Sequence, residues 1–158
     1  MNKANQNQID WVELKSPKGK FQLFRRHISL AMGAKKDTGT WGGGHPFDLE
    51  LTRLPPGKTN WPYHAHAAQW EMYIVLSGRG QLRTSEGKSE IVPGDCFIHP
   101  PGEPHQIHNT GTEDLVYYVI ADNPRCDTGN YPDTGKWFAK PQRKCFEITE
   151  VDYYKGEE

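Results

Sequence analysis

Cysteine is scarce in this chain of 158 residues: Cys96, Cys126 and Cys145 are widely spaced, odd in number and form no CxxC pair. That argues against a disulfide framework and against a thiolate zinc site, and all three read as free thiols. Long apolar runs are also lacking. The longest, Leu115 to Ala121, has seven residues, against the roughly 20 needed to span a bilayer. The opening stretch from Met1 to Gln8 is polar and has no apolar segment of the secretory kind. Neither sign of charge is in excess, with 19 Lys and Arg against 20 Asp and Glu, a net charge of -1. No basic block is large enough to track a phosphate backbone. The expectation is a soluble, cytoplasmic protein with neither a nucleic-acid nor a membrane partner, and about one domain in size, on a prior of roughly 150 residues per domain.

What is present points to short strands. Sixteen Gly and 12 Pro accompany five Trp, seven Tyr and six Phe, so turn formers alternate with residues that favour pleated surfaces. Residues 1–20 are polar and end in the turn-like Ser16-Pro17-Lys18-Gly19-Lys20. Ile28 to Lys36 has room for one short helix. Gly42-Gly43-Gly44 lacks the GxxxxGK[ST] context of a phosphate loop and reads as a flexible connection. From Phe47 the hydrophobic period becomes two: Phe47, Leu49 and Leu51 alternate with Asp48, Glu50 and Thr52. Further strands are predicted at Glu71–Leu76, Gln81–Thr84, Ser89–Val92, Cys96–His99 and Leu115–Ala121, the last apolar on both faces and so expected to be covered on both. Residues 122–144 read as a long aromatic loop, and a last strand is predicted from about Cys145 to Tyr153. Turn signals about every ten residues predict an all-β sandwich or barrel. The division expected is an N-terminal arm and packing segment (1–46), a barrel core (47–121), and an aromatic loop with a C-terminal strand completing the domain (122–158).

Four residues carry the chemistry. In a strand, positions i and i+2 share a face, so His64-Ala65-His66 aims two imidazoles in one direction. Paired imidazoles are poor core material unless something binds them, and a divalent ion does so when both are neutral. Glu71 lies an odd number of residues beyond His66, so Ala67-Ala68-Gln69 must turn or bulge for it to join them. His105 follows a proline-rich turn and can reach His64 only if the sheet rolls up. The alternative is ordinary core or surface histidines and a salt-bridged glutamate.

These residues resemble the two cupin motifs. Gly57, His64, His66, Glu71 and Gly78 follow G(X)5HXH(X)3-4E(X)6G, except that six residues rather than five separate Gly57 from His64. Gly94, Pro100, Gly102, His105 and Asn109 follow G(X)5PXG(X)2H(X)3N throughout, and fifteen residues lie between the motifs. The resemblance, to small single-domain bacterial cupins, implies a double-stranded β-helix (jelly-roll) barrel. It also implies one divalent metal ion on His64, His66, Glu71 and His105. Three neutral imidazoles and a carboxylate leave such a site at +1 once the ion is bound, which suits anionic or enolisable oxygen ligands. The donor set does not choose among Fe, Mn, Zn, Ni and Co. The expected function is a metal-binding enzyme acting on a small oxygen-rich molecule by dioxygenase or isomerase-type chemistry. The alternative is a non-catalytic binder of a small molecule or sugar. If Glu71 points inward, parity turns Tyr73 inward too, and its phenol is a candidate for orienting substrate beside the metal. Arg53, read as continuing the face of Phe47, Leu49 and Leu51, is a candidate for holding a substrate carboxylate. Gln69 and Trp70 are candidates for the mouth. A homodimer is expected, paired through Leu115–Ala121 or through the C-terminal strand.

Overall fold

Residues 2–140 and 142–158 are described by the structure, a computed structural model. In chain order the strands are β1 (Val12–Lys15), β2 (Gln22–His27), β3 (Phe47–Leu54), β4 (Ala65–His66), β5 (Glu71–Ser77), β6 (Gly80–Thr84) and β7 (Gly87–Ile91). They continue with β8 (Cys96–His99), β9 (Gln106–His108), β10 (Leu115–Asp122), β11 (Asp127–Tyr131), β12 (Lys136–Lys140) and β13 (Lys144–Phe146). One short helix, α1 (Ile28–Ala31), follows β2. The strands make sheets of order β1-β2-β3-β10-β5-β8, β13-β12-β11-β4 and β7-β6-β9. Every pairing within them is antiparallel. The result is a single jelly-roll domain, as expected. Among the described residues no helix is long and apolar enough to cross a membrane.

Cross-strand register dictates what faces the interior, because directly opposed residues share a face. One inward row runs Asp48, Ala121, Glu71, His99; the next runs His27, Glu50, Val119, Tyr73, Phe97. Beyond them Leu54, Leu115, Val75 and Tyr117 join Leu82 and Ile107 in the buried core. Passing along β5 from Glu71 through Tyr73 to Val75 therefore leads from a polar end of the barrel to its apolar end.

The turns between strands use glycine where the backbone needs it. Gly57, Gly78, Gly94 and Gly102 all take positive φ, between 69° and 95°. At Gly78 a Cβ would also lie 2.4 Å from the Asp114 carbonyl oxygen, so both conformation and space require Gly there.

Three expectations are corrected. In β3 the inward residues are Asp48, Glu50 and Thr52, not Phe47, Leu49 and Leu51. The apolar stripe lies on the outer face, where α1 and the N-terminal residues cover part of it: Leu49 N–H donates to Ser29 Oγ at 2.8 Å, and Tyr118 Oη donates to Gln6 at 2.5 Å. The stretch 122–144 is not a loop; it contains the β11–β12 hairpin, turned at Gly135 with φ 70°. The last strand stops at Phe146, and the charged stretch beyond it, with Glu147, Glu150 and Asp152, pairs with no strand.

Candidate metal centre

His64 and His105 come from stretches 41 residues apart and meet through a two-way backbone bridge. His105 N–H donates to His64 O at 2.9 Å, and His64 N–H to His105 O at 3.3 Å. This is the rolled sheet that the pairing demanded. On the other side β4 pairs with β11, placing His66 opposite Gly129. A Cβ on Gly129 would lie 2.1 Å from Ala65 O and 2.3 Å from the Phe138 ring, so only Gly lets β11 close on β4. The bend before Glu71 is tied by two aspartates. Ala68 N–H donates to Asp127 Oδ1 and Trp70 N–H to Asp122 Oδ1, both at 2.8 Å.

The bend turns Glu71 to face the histidines. Donor atoms of His64, His66 and Glu71 all lie within 4.8 Å of one another, a group that could hold a metal ion. His105 Nε2 approaches Glu71 Oε2 at 2.8 Å and its ring centroid lies 4.7 Å from that of His64. Each imidazole is anchored by its outer nitrogen: His64 Nδ1 to Pro62 O at 2.8 Å, His66 Nδ1 to Asp127 Oδ2 at 2.5 Å, and His105 Nδ1 to Glu103 O at 3.2 Å. Carbonyl and carboxylate oxygens only accept, so each Nδ1 carries the proton and each neutral ring keeps its Nε2 lone pair free. At His105 that lone pair faces a carboxylate, an arrangement of two acceptors that calls for a cation between them. The donor set therefore fits a divalent ion in residue type, tautomer and outer support.

Burial, then the neighbouring His105, lowers His64 to about 3. Burial, then His105, lowers His99 to about 4. Burial pushes the Glu71 carboxyl up, but the close approach of His105, with His66 and His64 beside it, holds it well below the usual range. Burial, then Glu71, raises the Tyr73 phenol well above its usual range. All three acid-range shifts act in one direction. His64 and His99 take up protons in the unfolded chain near pH 6.5 but in the folded protein only far lower. Stability is therefore lost as pH falls from 6.5 toward 3, and the depressed Glu71 adds a loss at the acid end. His64 alone accounts for roughly 3 kcal/mol by pH 4. The thermal midpoint of chelator-treated protein is expected to drop steeply across that interval; a flat profile from pH 6.5 to 4 contradicts it.

The other predicted site residues divide. Tyr73 is buried and its hydroxyl donates to Glu71 Oε2 at 2.8 Å. Gln69 is buried beside the cavity, donating to Asp122 O at 2.7 Å and accepting from Lys140 at 2.8 Å. Arg53 is not brought to the site. It points outward, 3.6 Å from Asp114, with its guanidinium over Trp11 and Phe24 at 4.9 and 4.6 Å. The reversed parity of β3 is the cause. Trp70 is exposed, 46% accessible. His99 stacks on His105, with centroids 4.1 Å apart and planes at 4°.

Sequence reasoning missed the rest of the cavity. A space of about 350 Å³ opens on His64, His66 and Glu71, with Arg25, Glu50 and Trp61 also lining it. A deeper part of about 160 Å³ reaches Tyr73, Tyr117 and Thr52. The polar alternate residues of β3 were the available signal. Asp127 had none, since 61 residues separate it from His66.

A jelly-roll barrel gathering three imidazoles and a carboxylate at its polar end defines a class of β-helix proteins with a potential metal-binding mouth. Residues 50–121 match the family model of the cupin domain. It is similar to an oxalate-binding protein of Thermotoga maritima, 34% identical over 68 residues, covering 43% of this chain and 55% of the relative. It is 38% identical over 85 residues to a glucose-6-phosphate isomerase of Thermococcus gammatolerans, covering 46% and 45%. The chain thus spans about half the length of these curated relatives. A solved cupin-superfamily sugar phosphate isomerase of Silicibacter pomeroyi superposes with TM-score 0.75 at 21% identity, over 96% of this chain and 97% of that one. At that identity the likeness concerns the fold alone.

Proposed function

We propose that this protein is a metal-dependent enzyme holding one divalent ion on His64, His66, Glu71 and His105. It acts on a small oxygen-rich molecule, and isomerisation is the chemistry the site supports best. The carrying observation is that the Nδ1 anchors leave the Nε2 atoms of His64 and His66 to meet Glu71 at the wall of a cavity, with His105 Nε2 behind it at 2.8 Å from Glu71 Oε2. A bound ion would act there as a Lewis acid toward a substrate carbonyl or enediol. Around it the chain contributes a Tyr73 hydroxyl fixed on Glu71 and a polar wall from β2 and β3. The names of the isomerase relatives support the same class. Dioxygenase chemistry is the reading to adopt if iron proves the resident ion, and a non-catalytic binder is the reading if ligands bind without turnover.

The test is stripped protein reloaded separately with Mn, Fe, Co, Ni and Zn, then given fructose 6-phosphate in heavy water. Exchange of a carbon-bound hydrogen, dependent on the ion, is expected. Oxygen uptake with iron alone would move the assignment to a dioxygenase. Asp127→Asn is expected to weaken metal affinity about 10- to 100-fold, because the carboxylate that orients His66 is lost. Competition with a chromophoric chelator measures it, and unchanged affinity contradicts the support role.

Homodimer formation is part of this proposal. Both faces of Leu115–Ala121 are covered at least in part within the chain, which leaves the C-terminal segment as the pairing element. Ile148, Val151 and Tyr154 are exposed there, and Tyr153 is 87% accessible. Light scattering at micromolar concentration is expected to give twice the chain mass; a monomer contradicts it. Cys96, Cys126 and Cys145 are free and exposed, which supports a reducing, cytoplasmic setting.

A further inference from the structure

One wall of the cavity is taken by three of the proposed ligands, His64, His66 and Glu71. The facing wall holds a second cluster of ionisable groups. The pairs Arg25↔Thr52 and His27↔Glu50 turn Arg25, His27 and Glu50 into the barrel. Glu50 accepts from Arg25 Nη1 at 3.3 and 3.2 Å, and His27 Nδ1 lies 2.8 Å from its Oε1. All three side chains are largely withdrawn from solvent, at 15 to 20% exposure. A carboxylate placed inward on a strand is expensive to desolvate, and the two partners offset that cost without taking it out of the cavity. Glu50 and Glu71 border the same space. Between their strands, β3 and β5, β10 contributes the small Val119 and Ala121 to the inner face, with Tyr117 deeper in the barrel. No salt bridge or hydrogen bond joins Glu50 to any of the four ligands. The ionisable groups that share its cavity include Arg25 and His27 on β2, Asp48 on its own strand, Tyr117 on β10, Tyr73 and Glu71 on β5, Lys140 on β12, and Asp37 and Arg143.

We propose that Glu50 is the acid–base group of this site, with Arg25 and His27 as positioning residues. The proposal rests on the isomerase reading above and names the residue that moves the proton. For a 2-keto-1-hydroxy substrate, Glu50 removes a hydrogen from C1 as a proton. The C–H electron pair forms the C1–C2 double bond, and the C2 carbonyl pair moves onto its oxygen. The O1 proton passes to O2, the C1–O1 double bond forms, and Glu50 returns its proton to C2. Nothing is oxidised or reduced overall, and no further reactant is needed.

Zinc-loaded wild type and Glu50→Gln are compared by two readouts. The first is calorimetry of acetohydroxamate binding in two buffers of different ionisation enthalpy. The hydroxamate binds a metal as its anion, so one proton must move. As the acid–base group, Glu50 is placed to receive that proton inside the cavity. Wild type is therefore expected to keep the proton and release about none to buffer, and Glu50→Gln to release about one. The second readout is hydrogen exchange into fructose 6-phosphate, expected to fall at least about 100-fold in Glu50→Gln, in the range of a lost general base. Glu50→Asp retains the proton in calorimetry yet exchanges at least about tenfold more slowly, and it carries the test if the Gln variant does not fold. Equal proton release with exchange within about threefold of wild type overturns Glu50 as the base while leaving the metal site standing. Failure of zinc-loaded wild type to bind the hydroxamate at all overturns the isomerase reading, and the base with it.

Discussion

His105→Ala is expected to abolish stoichiometric metal binding, with a loss of affinity beyond the ~10- to 100-fold that outer supporting residues carry. His105 is 1% accessible and makes contacts that no other residue replaces. Its Nε2 lies 2.8 Å from Glu71, its Nδ1 is held by Glu103 O, and its ring stacks on His99. The backbone bridge to His64 is independent of the side chain, so the barrel is expected to stay closed in the variant. Removing the ring leaves Glu71 oriented only by Tyr73 and His66, and takes away one of three imidazole donors. Elemental analysis of the purified variant reads the outcome, with circular dichroism as the control for folding. Full metal content in His105→Ala would mean that this ring only positions Glu71.

Asn109→Ala is expected to act on the fold and not on the ion. Asn109 is 0% accessible. Its Nδ2 donates to Leu54 O at 2.7 Å and to Glu113 O at 2.8 Å, and its Oδ1 accepts from Gly111 N–H at 2.9 Å. The side chain thereby ties the end of β3 to the connection between β9 and β10, at the apolar end of the barrel. Alanine strands three backbone groups in a place with little water, at a cost of ~3 kcal/mol after relaxation. For a chain of this size that is a fall in thermal midpoint of about 6 to 12 °C. Metal content at 20 °C is expected to stay at the wild-type value. A midpoint shift under about 2 °C, or loss of the ion from folded protein, contradicts this division of labour.

Much of the architecture could be read from residue spacing, for definable reasons. The two motifs couple ligands to turn glycines, and four of those glycines do occupy positive φ. Glu71, Tyr73 and Val75 follow strand parity, so the inward face of β5 was legible from one residue. The inward face of β3 was not. Its apolar stripe is on the outer face, partly beneath α1 and residues near the N-terminus, so hydrophobicity marked the outer layer and polarity marked the cavity. That one inversion carries Arg53 to the outer face and Glu50 into the cavity. The β11–β12 hairpin escaped notice because Asp127, Gly129 and Asn130 are poor strand formers. Gly129 is there because β11 must press against Ala65 and Phe138. Asp127 was invisible because its partnership with His66 arises only once the sheet has rolled.

Three imidazoles and one carboxylate from two separate stretches of chain are proposed to bind a common ion. X-ray absorption at the zinc edge, on stripped protein reloaded with one equivalent of zinc, tests it most directly. One tightly held zinc per chain is expected, with nitrogen and oxygen neighbours at about 2.0 to 2.2 Å and outer-shell scattering from three imidazole rings. Zinc that washes away, sulfur in the first shell, or fewer than two imidazoles around the ion would contradict it.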